Sequence, residues 1–309
     1  MERNKKVVYY PEAQLSDLDA GVAVAYPLPN GSYKYYSVPS FLIIGAPKCG
    51  TSELRNWLSI HPKIRALSSE GHFFDEVLDI EREWPRYIFN SQFLISKESN
   101  HFRENQDIQI CEKTPAYLDK TNRKFPAPAL VKKMMPQGKF IAILRNPTER
   151  AYSSYQMGRR PLKIRNPRST CVESNFLEFV KHLLDSSQEH PDSRLLQVGH
   201  YAKHLETWID YFSREQLAVV LLDDFRENPF RVMNYLLEFL NLPALDYQPL
   251  VDKNHRNLWV LKEQFGKSSK ANAPLYEPMP DAAKELLDRY YQPWNEKLQT
   301  LLPHLSVTW

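Results

Sequence analysis

Phe41-Leu-Ile-Ile44 is an uninterrupted apolar run, and the pattern changes period immediately after it. A run of this kind predicts a strand buried on both faces. From Thr51 the apolar positions fall at Leu54, Trp57, Leu58 and Ile60, the spacing of one helix face, and His61-Pro62 ends the element because proline cannot continue a helix. The same alternation recurs down the chain. Short strands are predicted at 63–67, 108–111, 139–144 and 217–222, and helices at 127–135, 173–186, 198–213, 229–240 and 279–302. Asn146-Pro147 reads as an N-cap followed by proline at the first helical position. Residues 76–105 are polar with scattered aromatics and read as helical or irregular, and 157–172 as a basic surface loop.

Strands that alternate with helices predict an α/β fold with a central parallel sheet covered on both faces. Ligands in such sheets sit at the carboxyl ends of the strands. The loops after residues 45, 111 and 144 all leave such ends, so they are expected to converge on one cleft. Residues 1–40 are rich in tyrosine and proline without sustained periodicity. They read as an N-terminal arm packed on the domain with a short hairpin at Asn30-Gly31, and 41–309 as a single domain.

Composition narrows the class without naming it. A chain of 309 residues with 42% hydrophobic and 25% charged residues can bury a sizeable core. A net charge of +3 is too small to argue for nucleic acid, although basic clusters recur at Lys132-Lys133, Arg159-Arg160 and Lys267–Lys270. Three cysteines give no disulfide framework and no metal-ligand spacing. No apolar run reaches the roughly 20 residues of a membrane span, and the first residues lack the apolar stretch of a signal peptide.

Chemistry concentrates between residues 45 and 52. A strand that turns through Gly45, Pro47 and Gly50 into a helix start offers backbone N–H donors and the positive end of a helix dipole to an anion. Lys48 adds a cation, and Thr51 and Ser52 add hydroxyls. A Walker loop places its lysine directly before the hydroxyl residue; here the lysine lies two positions before Gly50. The alternatives at this point are a phosphate ester held without the usual Mg²⁺–nucleotide arrangement, or an ordinary βα turn. A second constellation, Arg145…Ser153, places a guanidinium before a helix cap and a hydroxyl two turns into the helix, where both could reach one phosphate; solvated helix charges are the alternative.

Together the two constellations resemble a family. Gly45-Ala-Pro-Lys-Cys-Gly-Thr-Ser52 is similar to the 5′-phosphosulfate loop of sulfotransferases that use 3′-phosphoadenosine 5′-phosphosulfate (PAPS). Arg145-Asn-Pro-x-x-Arg-x-x-Ser153 resembles their 3′-phosphate motif. Glu70-Gly-His-Phe-Phe-Asp75, Glu112-Lys-Thr-Pro-Ala-Tyr117 and Gly199–Trp208 resemble the glycosaminoglycan branch, over about residues 40 to 300. The resemblance implies a P-loop-like three-layer α/β/α domain and sulfuryl transfer from PAPS to an acceptor hydroxyl, with 3′-phosphoadenosine 5′-phosphate (PAP) as product and no metal. The acceptor is expected to be a glycan, or alternatively a small molecule.

By that resemblance Glu70 is the general base, Lys48 meets charge on the leaving phosphate, and Lys113 lies near the transferred group. Lys48, Cys49, Gly50, Thr51 and Ser52 would hold the 5′-phosphate, Arg145 and Ser153 the 3′-phosphate, and Lys267 and Lys270 a closing loop. Each role has a rival: Glu70 as a helix cap, His72 as a packed residue, Phe73 and Phe74 as core, Lys113 paired with Glu112 or Asp119 at the surface. No cysteine follows Cys171, a departure from the C-terminal cysteine pair of the heparan 3-O enzymes. As given, the chain is expected to be cytoplasmic, with the Golgi lumen the alternative if an anchor was removed. A P-loop kinase and a non-enzymatic nucleotide- or heparin-binding module are the competing functions.

Overall fold

The computed structural model describes residues 5–97, 99–121, 124–159, 175–185, 193–265 and 277–309. Its strands are β1 (Lys6–Tyr9), β2 (Val22–Pro27), β3 (Tyr33–Ser37), β4 (Phe41–Gly45), β5 (Ile64–Ala66), β6 (Leu94–Ser96), β7 (Gln109–Lys113), β8 (Lys139–Leu144), β9 (Leu217–Leu221), β10 (Val251–Lys253) and β11 (Trp259–Leu261). Five of them form the central sheet in the order β5-β7-β4-β8-β9, and every pairing is parallel. Phe41 lies opposite Cys111 on one side and Lys139 on the other. β4 is therefore central, with later strands added to either side of it. That reversal of strand order opens a crevice at the carboxyl ends.

The periodicity explains the layers. Phe41, Leu42, Ile43 and Ile44 are fully buried, as are Phe140 to Leu144. The helix Thr51–Leu58 turns Leu54, Trp57 and Leu58 into the core, where Trp57 meets Phe225 edge-on at 5.5 Å and Tyr247 at 5.6 Å. Burying a side chain of this size stabilises by about 2 kcal/mol relative to leaving it in water. A second, smaller apolar cluster joins the helices Pro147–Arg159, Phe176–Leu184 and Asp281–Leu301 through Tyr155, Phe176, Phe179, Leu287 and Tyr291. Among the described residues no helix is long and apolar enough to cross a membrane.

The N-terminal stretch is built more regularly than an arm. β2 and β3 form the hairpin anticipated at Asn30-Gly31, β1 adds in parallel to β2, and β6 closes the sheet antiparallel to β3. β6 lies inside the 76–105 stretch read as helical or irregular, which also carries the helix Ile80–Ile88. Val24 and Tyr36 on the inner face join the main core, and Tyr35 on the outer face stacks on Phe102 at 4.4 Å. A three-residue strand such as β6 leaves no periodicity to read; its partner alone makes it a strand.

Candidate active site

The loop after β4 enters the helix Thr51–Leu58 through Gly50, whose φ of 89° is left-handed. A Cβ there would also sit 2.8 Å from Leu222 Cδ1, so both conformation and space call for glycine. Lys48 holds a left-handed φ of 70°, which costs a non-glycine residue about 1 kcal/mol. Its Nζ lies 3.3 Å from the sulfur of Met157, on the helix that follows β8. Thr51 and Ser52 occupy the first turn, where backbone N–H groups have no intrahelical carbonyl to reach. Cys49 carries its sulfur into the core, 3.5 Å from the Tyr201 hydroxyl, and burial pushes its thiol pKa up.

β7 delivers the second group of side chains. Lys113 ends the strand, only 5% exposed, with Nζ 2.5 Å from Glu70 Oε1 and 3.4 Å from Ser52 Oγ. The surface pairing with Glu112 or Asp119 is not what forms: Asp119 is gripped by Arg194 at 2.8 and 3.0 Å. Glu70 Oε2 in turn lies 3.2 Å from His72 Nε2, and His72 Nδ1 lies 2.9 Å from Asp75 Oδ2. Burial favours the neutral imidazole of His72, but the hydrogen bond to Asp75 and the carboxylates of Asp75, Glu70 and Glu76 outweigh it and raise its pKa. Phe73 and Phe74 are core residues, stacked and edge-on against Tyr87 and Tyr117.

The third group follows β8. Asn146 Oδ1 accepts from the N–H groups of Thr148 and Glu149 at 2.9 and 3.3 Å, with Pro147 in the first turn as the sequence predicts. Arg145 is engaged by Glu149 Oε2, which accepts from its Nε at 2.9 Å and its terminal nitrogen at 2.6 Å. Ser153 is buried on the same helix. Beneath the turn, Thr148 Oγ1 and Arg150 Nε are buried without a hydrogen-bond partner among the described residues. Arg150 is 1% exposed, and the nearby Tyr291, Tyr201 and Cys49 offset the burial that would disfavour its charge. Arg150 donates to the Leu195 carbonyl and is hydrogen-bonded with Tyr291, so its charge is held inside the protein beneath the turn.

The structure thus joins Glu70 and Lys113 to Ser52 at the head of the Thr51–Leu58 helix, and sets Lys48 against Met157 of the helix Pro147–Arg159, which carries Ser153 and which Arg145 precedes. Lys267 and Lys270 lie outside the described residues, as does Cys171. Sequence reasoning assigned no role to Glu112, Thr114, Tyr117 and Tyr87, which lie directly behind Glu70. The available signal was a glutamate inside an apolar strand, since a buried carboxylate demands donors. Tyr87, 25 residues upstream of Glu112, left no local signal. The sequence also showed no metal-ligand cluster, yet His72, Asp75 and Glu76 bring one potential ligand atom each within 4.8 Å.

The sulfotransferase domain family matches residues 39–291. Human bifunctional heparan sulfate N-deacetylase/N-sulfotransferase 3 is 28% identical over 289 residues, covering 87% of this chain and 30% of that protein. Human heparan sulfate glucosamine 3-O-sulfotransferase 3B1 is 28% identical over 278 residues, covering 86% of this chain and 64% of that protein. The chain therefore spans less than a third of the first relative and somewhat under two thirds of the second. Among solved structures, a sulfotransferase from Alicyclobacillus acidocaldarius has the same fold, with a TM-score of 0.53, 23% identity, and coverage of 86% of this chain and 96% of that one.

Proposed function

The chain belongs to the sulfotransferase domain family, and from that premise we propose that it transfers a sulfuryl group from PAPS to a hydroxyl of a carbohydrate acceptor of the heparan type. The observation that carries the reading is the continuous chain Glu70–Lys113–Ser52, with contacts of 2.5 and 3.4 Å, which couples a carboxylate to the head of the phosphate-loop helix. The glycan acceptor is supported by the names of the two human relatives, both heparan sulfate enzymes.

Lys48, Gly50, Thr51 and Ser52 would hold the 5′-phosphate side of PAPS, and Arg145 with Ser153 its 3′-phosphate. Bound PAPS supplies the electrophilic sulfuryl group. Glu70 takes the acceptor proton on a carboxylate oxygen, and Lys113 holds that carboxylate in place and faces the Ser52 hydroxyl. Lys48 neutralises charge that develops as the phosphate leaves, with the loop amides as fixed donors. His72 and Asp75 buttress Glu70 from its other oxygen.

Calorimetric titration with PAP, with and without Mg²⁺ and with ATP as control, tests the site. The expected result is metal-independent binding that prefers PAP. Binding of ATP alone, or only with Mg²⁺, would return the loop to the kinase reading. Transfer of radiolabelled sulfate from PAPS to a desulfated heparan oligosaccharide tests the acceptor class; its absence alongside PAP binding would leave the small-molecule acceptor.

A further inference from the structure

Behind Glu70 lies a carboxylate the proposed chemistry does not use. Glu112, in β7, is completely buried, and among the described residues no cationic side chain touches it. Burial raises its pKa in spite of its hydrogen bonds. Four groups donate to it: the Thr114 hydroxyl at 2.5 Å, the Tyr87 hydroxyl at 2.7 Å, the Tyr117 hydroxyl at 3.1 Å and the Gly71 N–H at 3.3 Å. Two of those donors accept in turn from the segment that follows Glu70. Thr114 Oγ1 accepts from Gly71 N–H at 3.0 Å and His72 N–H at 3.3 Å, and Tyr117 oxygen accepts from Phe73 N–H at 3.1 Å.

Three consecutive amides, 71 to 73, are therefore tied to the end of β7 through a single buried carboxylate and its hydroxyls. The fit is close: a Cβ on Gly71 would lie 3.0 Å from the Glu112 carboxyl carbon. Lys113, the partner of Glu70, is the next residue of the same strand. Because neighbours in a strand face opposite sides, Glu112 fixes the backbone behind Glu70 while Lys113 meets its side chain. A hydroxyl that donates to a carboxylate has its lone pairs strengthened for the amides behind it, so the whole set depends on Glu112 accepting.

We propose that Glu112 is a positioning residue: its buried carboxylate sets the 70–73 segment so that Glu70 meets Lys113 in register for proton abstraction. This rests on the reading of Glu70 as base, and the test separates the two. Glu112→Gln keeps the shape but replaces one acceptor oxygen with a donor, leaving a hydroxyl or the Gly71 amide facing N–H. Amide hydrogen exchange by mass spectrometry reads the segment without any turnover. Faster exchange by about tenfold or more, confined to peptides covering 70–74, is expected, with β4 and β8 unchanged. PAP affinity by calorimetry should stay within about twofold, while turnover with PAPS and a heparan oligosaccharide falls by about a hundredfold at unchanged KM for PAPS.

Thr114→Val serves if Glu112→Gln fails to fold. It removes the oxygen that two amides use and should reproduce the local exchange, whereas Thr114→Ser, which keeps the hydroxyl, should restore protection. Wild-type exchange at 70–74 in Glu112→Gln would overturn the proposal. So would a uniform rise in exchange with loss of PAP affinity, the signature of a merely structural residue. A wild-type protein that transfers no sulfate to the oligosaccharide would count against the acceptor reading, and the exchange result would still decide the role of Glu112.

Discussion

At the end of β7 a lysine, a glutamate and a histidine meet over a buried carboxylate with four donors; at the ends of β4 and β8 the described cation contacts are to half-exposed side chains. Lys48 lies against the thioether of Met157, which is 51% exposed, and Arg145 against Glu149, whose side chain is 45% exposed. The first corner is organised by side chains in the interior, the second by backbone amides at two helix N-termini. On the proposed reading of the two corners, the difference follows from their tasks. Proton transfer needs its base held to within a fraction of an ångström. Anion binding draws direction from fixed amides and a helix dipole, so the cations that add charge can exchange partners as the anion arrives.

The sharpest way to break this comparison is Glu70→Gln. Turnover should fall by about a thousandfold, with PAP affinity within about twofold of wild type by calorimetry; loss of both would mean that the two corners are not separable. Lys48→Ala should lower turnover by about a hundredfold and weaken PAP as well, measured by steady-state rates and titration. If it left PAP binding untouched, the loop would be a turn and not a cradle. Arg145→Ala should weaken PAP by about tenfold, with little change in turnover at saturating PAPS.

Two smaller effects sharpen the picture. Glu149→Gln removes the carboxylate that now occupies Arg145 and should tighten PAP by about two- to threefold at low salt, fading as ionic strength rises. Weaker binding would make Glu149 an orienting partner and not a competitor. His72 has a raised pKa in the folded protein, so its imidazolium contributes stability that is fully present below about pH 6.5 and is lost as pH rises through the native value. Thermal midpoints of wild type and His72→Gln should therefore differ most at about pH 5.5 and converge at about pH 9. The same curve for Lys48→Ala should run parallel to wild type.

Much of the scaffold could be read in advance because it rests on local pattern. The strands at 41–44, 140–144 and 217–222 are apolar runs suited to a doubly covered parallel sheet, 108–111 is a shorter apolar stretch broken by Gln109, and Asn146-Pro147 caps a helix by its own chemistry. The glycine-lined turn before Thr51 was legible for the same reason, since φ of 89° at Gly50 is a property of one residue and its neighbours. β1 and β6 were not legible. β6 is three residues long and pairs with β3, far away in sequence; β1 is four residues long and pairs in parallel with β2, and neither is long enough to show a periodicity of its own.

The chain alone determined that a glycine-lined turn into a helix would stand at the carboxyl edge of a parallel sheet, and which residue types would gather there. Only the tertiary structure decided how they pair. Lys113 takes Glu70 and not Asp119, Arg145 takes Glu149, Cys49 turns inward to Tyr201, and Glu112 collects hydroxyls from positions 87, 114 and 117. The reason is physical. Local propensity acts through a residue and its near neighbours, whereas a buried charge is satisfied by whatever donors the packed strands and helices bring within about 3 Å, at any separation along the chain.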